Sequence, residues 1–257
     1  MQTDQLHKTL RSAVLTLFAF GFGVVTGLVG VGPAFIGAIS LVYLLGLTAS
    51  TARNFISTLI FGAALPAIAF YGNNGDVHWV AGLEAAIGTV LGAVIGTVVR
   101  IRRLLPFLGK VFALVLVGVA VEMILYSGHA RPSGDFNIGF GVAFFVGLAA
   151  GFLGSVSAFP AGYFLSPMLA LLLAVPQHGA QAIALAASIP ASMPLAIRNY
   201  ASSGPDKPRL LQFMVASALG GVLGAAIAVQ LSSGALVIIF ACFLALNAAV
   251  AFSRRSV

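Results

Sequence analysis

The residues of this sequence best suited to chemistry sit in two glycine- and serine-bearing turns and in a few polar positions within apolar runs. The first turn reads Gly27-Leu28-Val29-Gly30-Val31-Gly32-Pro33 and leads into Ala34. Glycine permits positive φ and close backbone approach, and proline suits the first turn of a following helix. A helix starting there would turn its N–H groups and the positive end of its dipole toward an anion. The second turn reads Gly151-Phe152-Leu153-Gly154-Ser155-Val156-Ser157-Ala158-Phe159-Pro160, with a longer stretch before Pro167. Ser155 and Ser157 offer hydroxyls where glycines stand in the first turn. The same glycines would also suit a close helix–helix contact in a membrane, and the sequence leaves both readings open. The first turn is not a dinucleotide-binding fingerprint, because no soluble strand–helix context surrounds it.

Other polar groups are few. Arg53, Asn54, Ser57 and Thr58 open one apolar run, and Gln181 and Ser188 lie in another. Pro66, Pro190 and Pro194 are expected to interrupt these helices and free backbone carbonyls, tolerable in a membrane only beside a partner or a cavity. Arg53 is either a snorkelling interfacial charge or a cation at the entrance for an anion, and Arg198 is a weaker candidate of the same kind. Glu84 and Glu122 are the only acids within apolar runs, near their outer ends, where proton carriage and an interfacial role are both open. His178 reads as a loop residue, and Tyr71 and Trp79 as interfacial aromatics. Cys242 is the single cysteine, so no disulfide framework or cysteine-based metal site exists.

The elements that must position these groups are membrane helices. Of the 257 residues 60% are hydrophobic and 7% charged, against about 25% charged in a soluble domain; mean hydropathy is +1.08. Apolar segments fall at about 12–31, 34–47, 51–71, 79–100, 104–126, 137–154, 158–174, 180–200, 210–230 and 235–252. The second of each five is too short to span comfortably. The net charge of +7 comes from basic residues scattered in short loops, which suits cytoplasmic loops rather than nucleic acid. With a cytoplasmic N-terminus carrying Lys8 and Arg11, Arg53, Arg100, Arg102, Arg103, Lys207, Arg209, Arg254 and Arg255 fall inside. Asp76, His78, His129, Arg131, Asp135 and His178 fall outside. The first two segments then either both cross or together form a re-entrant hairpin; parity does not separate these. The basic start before Ser12 lacks a clear cleavage site and is read as a retained first segment.

The chain also repeats itself. Gly27 and Gly30 recur as Gly151 and Gly154; Gly88, Gly92 and Gly96 recur as Gly220, Gly224 and Ala228; Ser57, Pro66, Tyr71 and Gly75 recur as Ser188, Pro194, Tyr200 and Gly204. An odd five segments per half makes the copies, 1–128 and 129–257, inverted in the membrane, as in carriers built around a central site. The glycine stripes read as helix packing. The fold class is therefore an all-α polytopic membrane protein of two inverted five-segment repeats, each opening on two segments that span or form a re-entrant, V-shaped hairpin.

The glycine-rich turns before apolar hairpins, the stretch Gly75-Asp76-Val77-His78-Trp79 and the glycine-spaced helix after it resemble the TauE/SafE family of sulfite and organosulfonate exporters. The resemblance covers the chain once per half. It implies a bacterial inner-membrane carrier for small sulfur-containing or carboxylate anions. The sequence departs from the family pattern at the turns themselves, Gly-Val-Gly-Pro-Ala in one half and Ser-Val-Ser-Ala-Phe in the other.

The expected function is secondary transport of a small anion such as an organosulfonate or sulfite, with both termini cytoplasmic. The tips 30–35 and 154–160 would face each other near the midplane. Gly30, Gly32, Pro33, Ala34, Ser155 and Ser157 would hold the anion, and Arg53, Asn54, Ser57, Gln181 and Ser188 would line its surroundings. A passive channel or a structural subunit is the alternative. An intramembrane enzyme would need clustered nucleophiles, acids or histidines, so none is expected, nor is a cofactor or metal. The expected partners are the anion and the bilayer, not nucleic acid, with a homodimer left open.

Overall fold

The computed structural model describes the backbone of residues 2–99, 105–126, 138–157 and 159–253, and among them every regular element is helical. The predicted charges at Arg100, Arg102, Arg103, His129, Arg131, Asp135, Arg254 and Arg255 lie outside the described residues. Among the described residues five α-helices fall in each half. They are α1 (Gln2–Val29), α2 (Ala34–Leu45), α3 (Ala49–Asn73), α4 (Trp79–Val99) and α5 (Leu105–Tyr126), then α6 (Val142–Ser157), α7 (Gly162–Leu172), α8 (Gln177–Ser202), α9 (Lys207–Gln230) and α10 (Ser233–Ser253). Among the described residues six, in α1, α3, α4, α8, α9 and α10, are long and apolar enough to cross a bilayer. The chain is a multi-pass membrane protein. Exposed Leu83, Ile87, Leu91, Val94 and Val98 give α4 the outward apolar face that lipid requires.

The halves interlock. α1 packs along α9, and α4 along α6, so each close helix pair draws one member from each half. Both pairs are built on bare backbone. A methyl on Gly88 or Gly92 would collide with the carbonyl oxygens of Phe144 and Leu148, and one on Gly147 or Gly151 with those of Ala85 and Thr89. The second pair repeats the pattern: Gly220 and Gly224 lie against the carbonyls of Phe20 and Val24, and Gly23 and Gly27 against those of Ser217 and Gly221. Such approach lets Cα–H groups meet carbonyls and multiplies dispersion contacts, which drive helix association where no hydrophobic effect operates. Gly27 and Gly151 are thus packing residues inside helices, not parts of the turns.

This packing fixes the direction of every helix. Residue numbers rise together along α1 and α9, and along α4 and α6, so each pair is parallel. The central pair α3 and α8 is antiparallel, because Tyr71 meets Gln181 near one end while Asn199 meets Asn54 near the other. Residues 46–48 return α2 to the start of α3, and 173–176 return α7 to the start of α8. Each hairpin therefore enters and leaves at one end of the bundle, α1–α2 at one end and α6–α7 at the other. With 12 and 11 residues, the short limbs α2 and α7 are about 18 Å long or less, well under a bilayer core. The V-shaped hairpin is the reading that holds.

Two expectations are corrected. α3 and α8 run unbroken through Pro66, Pro190 and Pro194, because packed neighbours hold the turns around each proline. Pro167 lies inside α7, and α6 continues to Ser157, so Gly151 to Ser157 are helix and not turn.

Replacing Gly88 by Ala should lower the detergent unfolding temperature by several degrees, about 1–3 kcal/mol of overpacking. Gly118→Ala is the control, since its methyl meets nothing within 4 Å; it should leave the unfolding temperature unchanged or slightly raised.

Candidate functional site

The two hairpin tips meet at mid-height of the central helices. Gly30 turns the chain at φ +75°, a conformation glycine adopts without strain, and a side chain there would strike Gln181. Gly32 then lies against Ile60, halfway along α3, and Val31 lies against Gly162 at the start of α7. Phe35 and Phe159 meet across the join in a tilted pair with ring centroids 5.0 Å apart. At the second tip the Ser157 hydroxyl accepts from the Phe159 N–H at 3.3 Å and lies 3.4 Å from the Gly154 carbonyl, which ends α6 there.

Between the tips lies a cavity of about 160 Å³. Val31 and Gly32 of one tip and Pro160, Ala161 and Gly162 of the other close two sides, and Ser57, Thr89, Ser188 and Ser192 bring hydroxyls from α3, α4 and α8. The rest of the described lining is alanine and isoleucine, and among the described residues it holds no acid and no base. α7 begins at this cavity and α2 begins two residues beyond Gly32; neither N-cap residue, Pro33 or Ala161, makes a side-chain cap, and turn carbonyls take the N–H groups of Ala34, Tyr163 and Phe164. Two positive dipole ends therefore converge on a small uncharged chamber, an arrangement that favours an anion. A larger vestibule of about 620 Å³ shares Thr89, Ala161 and Ala191 with it and runs between α4, α6 and α8 past Thr97, Ser155, Pro190 and Pro194.

The hydroxyls differ in what they can offer. Ser57 donates to the Arg53 carbonyl, Ser188 to that of Leu185, and Ser192 to that of Ser188. Thr89 is 3% exposed and its hydroxyl has no partner. A buried hydroxyl left so costs about 1–3 kcal/mol, and here it faces both chambers. The sequence reading missed Thr89; its signal was a hydroxyl beside Gly88 in an otherwise apolar, glycine-striped helix.

The predicted site residues divide. Gly32, Ser57 and Ser188 line the cavity, and Ser155 lines the vestibule, where its hydroxyl lies 2.9 Å from that of Thr97. Gly30, Pro33 and Ala34 shape the first tip without lining the chamber, and Ser157 shapes the second. Arg53 is exposed at the start of α3 and Arg198 near the end of α8, both away from the cavity. Asn54 gives its carbonyl to Asn199 Nδ2, which also lies 2.9 Å from Thr58 Oγ1. Gln181 is buried beneath the first tip, its Oε1 3.0 Å from the Tyr71 hydroxyl and its Nε2 without a partner.

Three further readings change. Tyr71 is fully buried rather than interfacial, with its hydroxyl also 3.0 Å from the Gly27 carbonyl. His178 is no loop residue: it is buried in the first turn of α8, with Nδ1 3.3 Å from Ser233 Oγ and Nε2 3.1 Å from the Ala228 carbonyl. In the α3–α4 loop, burial holds the Asp76 carboxyl above the usual carboxylate range, while His178 pulls it the other way. Glu84 accepts the Gly141 N–H at 3.0 Å and anchors the segment before α6, away from the cavity, and Glu122 is exposed.

A family model described as sulfite exporter TauE/SafE matches residues 2–123 and 143–257. No curated protein and no solved structure matches the chain.

Thr89→Val keeps the shape and removes the stranded hydroxyl. The unfolding temperature in detergent without substrate should rise, by the equivalent of about 1 kcal/mol. A fall would mean that the hydroxyl has a partner in the folded protein.

Proposed function

Because the chain belongs to the sulfite exporter TauE/SafE family, a family of membrane transporters, we propose that it is a secondary carrier of a small sulfur-containing oxyanion, sulfite or a short organosulfonate, in a bacterial inner membrane. One observation carries the reading: two helix starts and the unpartnered Thr89 hydroxyl converge on one cavity between the hairpin tips, with no acid among its described lining residues. The anion's oxygens take the Thr89 hydroxyl, the positive dipole ends of α2 and α7 favour its charge, and the serines add orientation. Dipoles and hydroxyls, the groups the described lining offers, bind an anion less tightly than a buried ion pair would, which suits a cargo that must leave again.

The apolar remainder of the wall accommodates the carbon stem of a sulfonate. The basic loops favour cytoplasmic termini, and in that orientation the vestibule opens to the cytoplasm. The carrier then exposes the cavity alternately to the two sides as the repeats shift. Anion and lipid are the partners this requires.

In proteoliposomes, labelled sulfite or taurine-like sulfonate should show saturable uptake and counterflow. Flux linear in concentration, without counterflow, would mean a channel. Thr89→Val should weaken apparent affinity about fivefold, the worth of one hydrogen bond near 1 kcal/mol. Ala191→Phe, whose ring would project into both chambers, should reduce uptake to that of empty liposomes.

A further inference from the structure

The two glycine-zipped pairs, α1–α9 and α6–α4, are built alike but seated differently on the central α3–α8 pair. α3 and α8 are tied to each other at both ends, by Tyr71 with Gln181 and by Asn199 with Asn54 and Thr58. Against this pair α9 sits without space: a methyl on Gly221 would strike the Ala63 carbonyl at 2.6 Å, and one on Gly62 the Ser217 hydroxyl at 2.7 Å. The position of α4 that answers Gly221, by the register of Gly88 with Gly220, is Thr89. There the contact with α8 is replaced by the vestibule. Equivalent pairs in unequal seats are what one end closed and the other open looks like in an inverted-repeat carrier.

Two polar contacts secure the closed seat: His178 Nε2 of α8 lies 3.1 Å from the Ala228 carbonyl of α9, and Tyr71 reaches from α3 to α1. The Tyr71 hydroxyl sits 3.0 Å from both Gln181 Oε1 and the Gly27 carbonyl. Gly27 lies in the last turn of α1, where carbonyls have no intrahelical donor. Tyr71 thereby joins the fixed pair to the α1–α9 pair, just before the Gly30 turn that forms the cavity wall. At the open end Asn199 ties α8 only to α3, and Tyr200, the repeat landmark answering Tyr71, is 44% exposed with Lys207 over its ring at 5.5 Å.

We propose that Tyr71 is the latch of the gate opposite the vestibule: its bond to the Gly27 carbonyl holds the α1–α9 pair against α3, and releasing it opens a second vestibule between α9, α1 and α3. This deepens the carrier reading and rests on it. Tyr71 is a positioning residue, acting through the α1–α9 pair and not on the anion.

The test uses the full chain in membranes, with the exposed Cys242 replaced by serine, and a membrane-impermeant maleimide applied to each face. Thr97→Cys reports the open vestibule and Val229→Cys, its repeat equivalent on α9, the closed one. In the Cys242→Ser parent, Thr97→Cys should label rapidly and Val229→Cys slowly. Tyr71→Phe should speed Val229→Cys labelling about fivefold, the population shift of one hydrogen bond near 1 kcal/mol, while Thr97→Cys labelling holds or falls. Gly221→Ala, which props the same seat open by a clash, should act in the same direction. Unchanged Val229→Cys labelling in both variants overturns the latch, and so does a rise at both reporters, which is general loosening. Rapid labelling at both reporters in the parent would instead sink the carrier reading itself, because a channel stands open at both ends.

Discussion

Backbone-to-backbone contact across the two halves is the constraint on which the rest of the structure depends. In lipid, helices gain little by hiding apolar side chains from one another, so association rests on close approach and dispersion. Gly88, Gly92, Gly147 and Gly151, with Gly23, Gly27, Gly220 and Gly224, let carbonyls of one half press on the Cα atoms of the other. Because each such pair is parallel and draws on both halves, the hairpins are forced to enter from opposite ends. Their tips then have nowhere to go but toward each other at mid-height.

What forms where they meet follows from shortness and lack of charge. α2 and α7 are too short to cross, so their starts lie in the interior, not at a surface. Their first N–H groups bond to turn carbonyls, Ala34 to Gly32 and Tyr163 and Phe164 to Pro160 and Ala161, so what these starts bring to the interior is the positive end of each dipole. The surrounding small residues, Gly32, Gly162, Ala184, Ala187 and Ala191, leave space in place of a filled core. A carboxylate in this chamber would repel an anion, and a lysine or arginine would hold it too firmly. Among the described residues the lining has neither.

Much of this was legible in the sequence, and the reasons for the rest are physical. Ten apolar runs predicted ten helices, and the spacing of Gly88, Gly92 and Gly96 predicted a packing stripe, because hydropathy and small-residue periodicity are properties of a single helix. Which helix the stripe meets is a long-range matter, so its partner in the other half was not readable. Nor was the division of Gly27 from Gly30 between packing and turn: both are glycine, and only the φ of +75° at Gly30 separates them. The prolines were overread, since a helix interrupted on paper can be held by neighbours. Ser57 and Ser188 were found from repeat position, but Thr89 was passed over because its repeat partner is a glycine. His178 and Tyr71 lay near helix ends, where sequence suggests an interface and folding supplied a buried network.

The central claim is that an anion binds between the tips through Thr89 and two helix starts. Its most direct measurement is the unfolding temperature of the purified protein titrated with sodium sulfite, taurine and sulfoacetate against sodium gluconate as a salt control. A ligand that binds only the folded state raises stability with its concentration. The account predicts a saturable rise with at least one of the sulfur oxyanions, weakened by Thr89→Val and absent in Ala191→Phe. Equal shifts with gluconate, or a rise that survives Ala191→Phe undiminished, would contradict it.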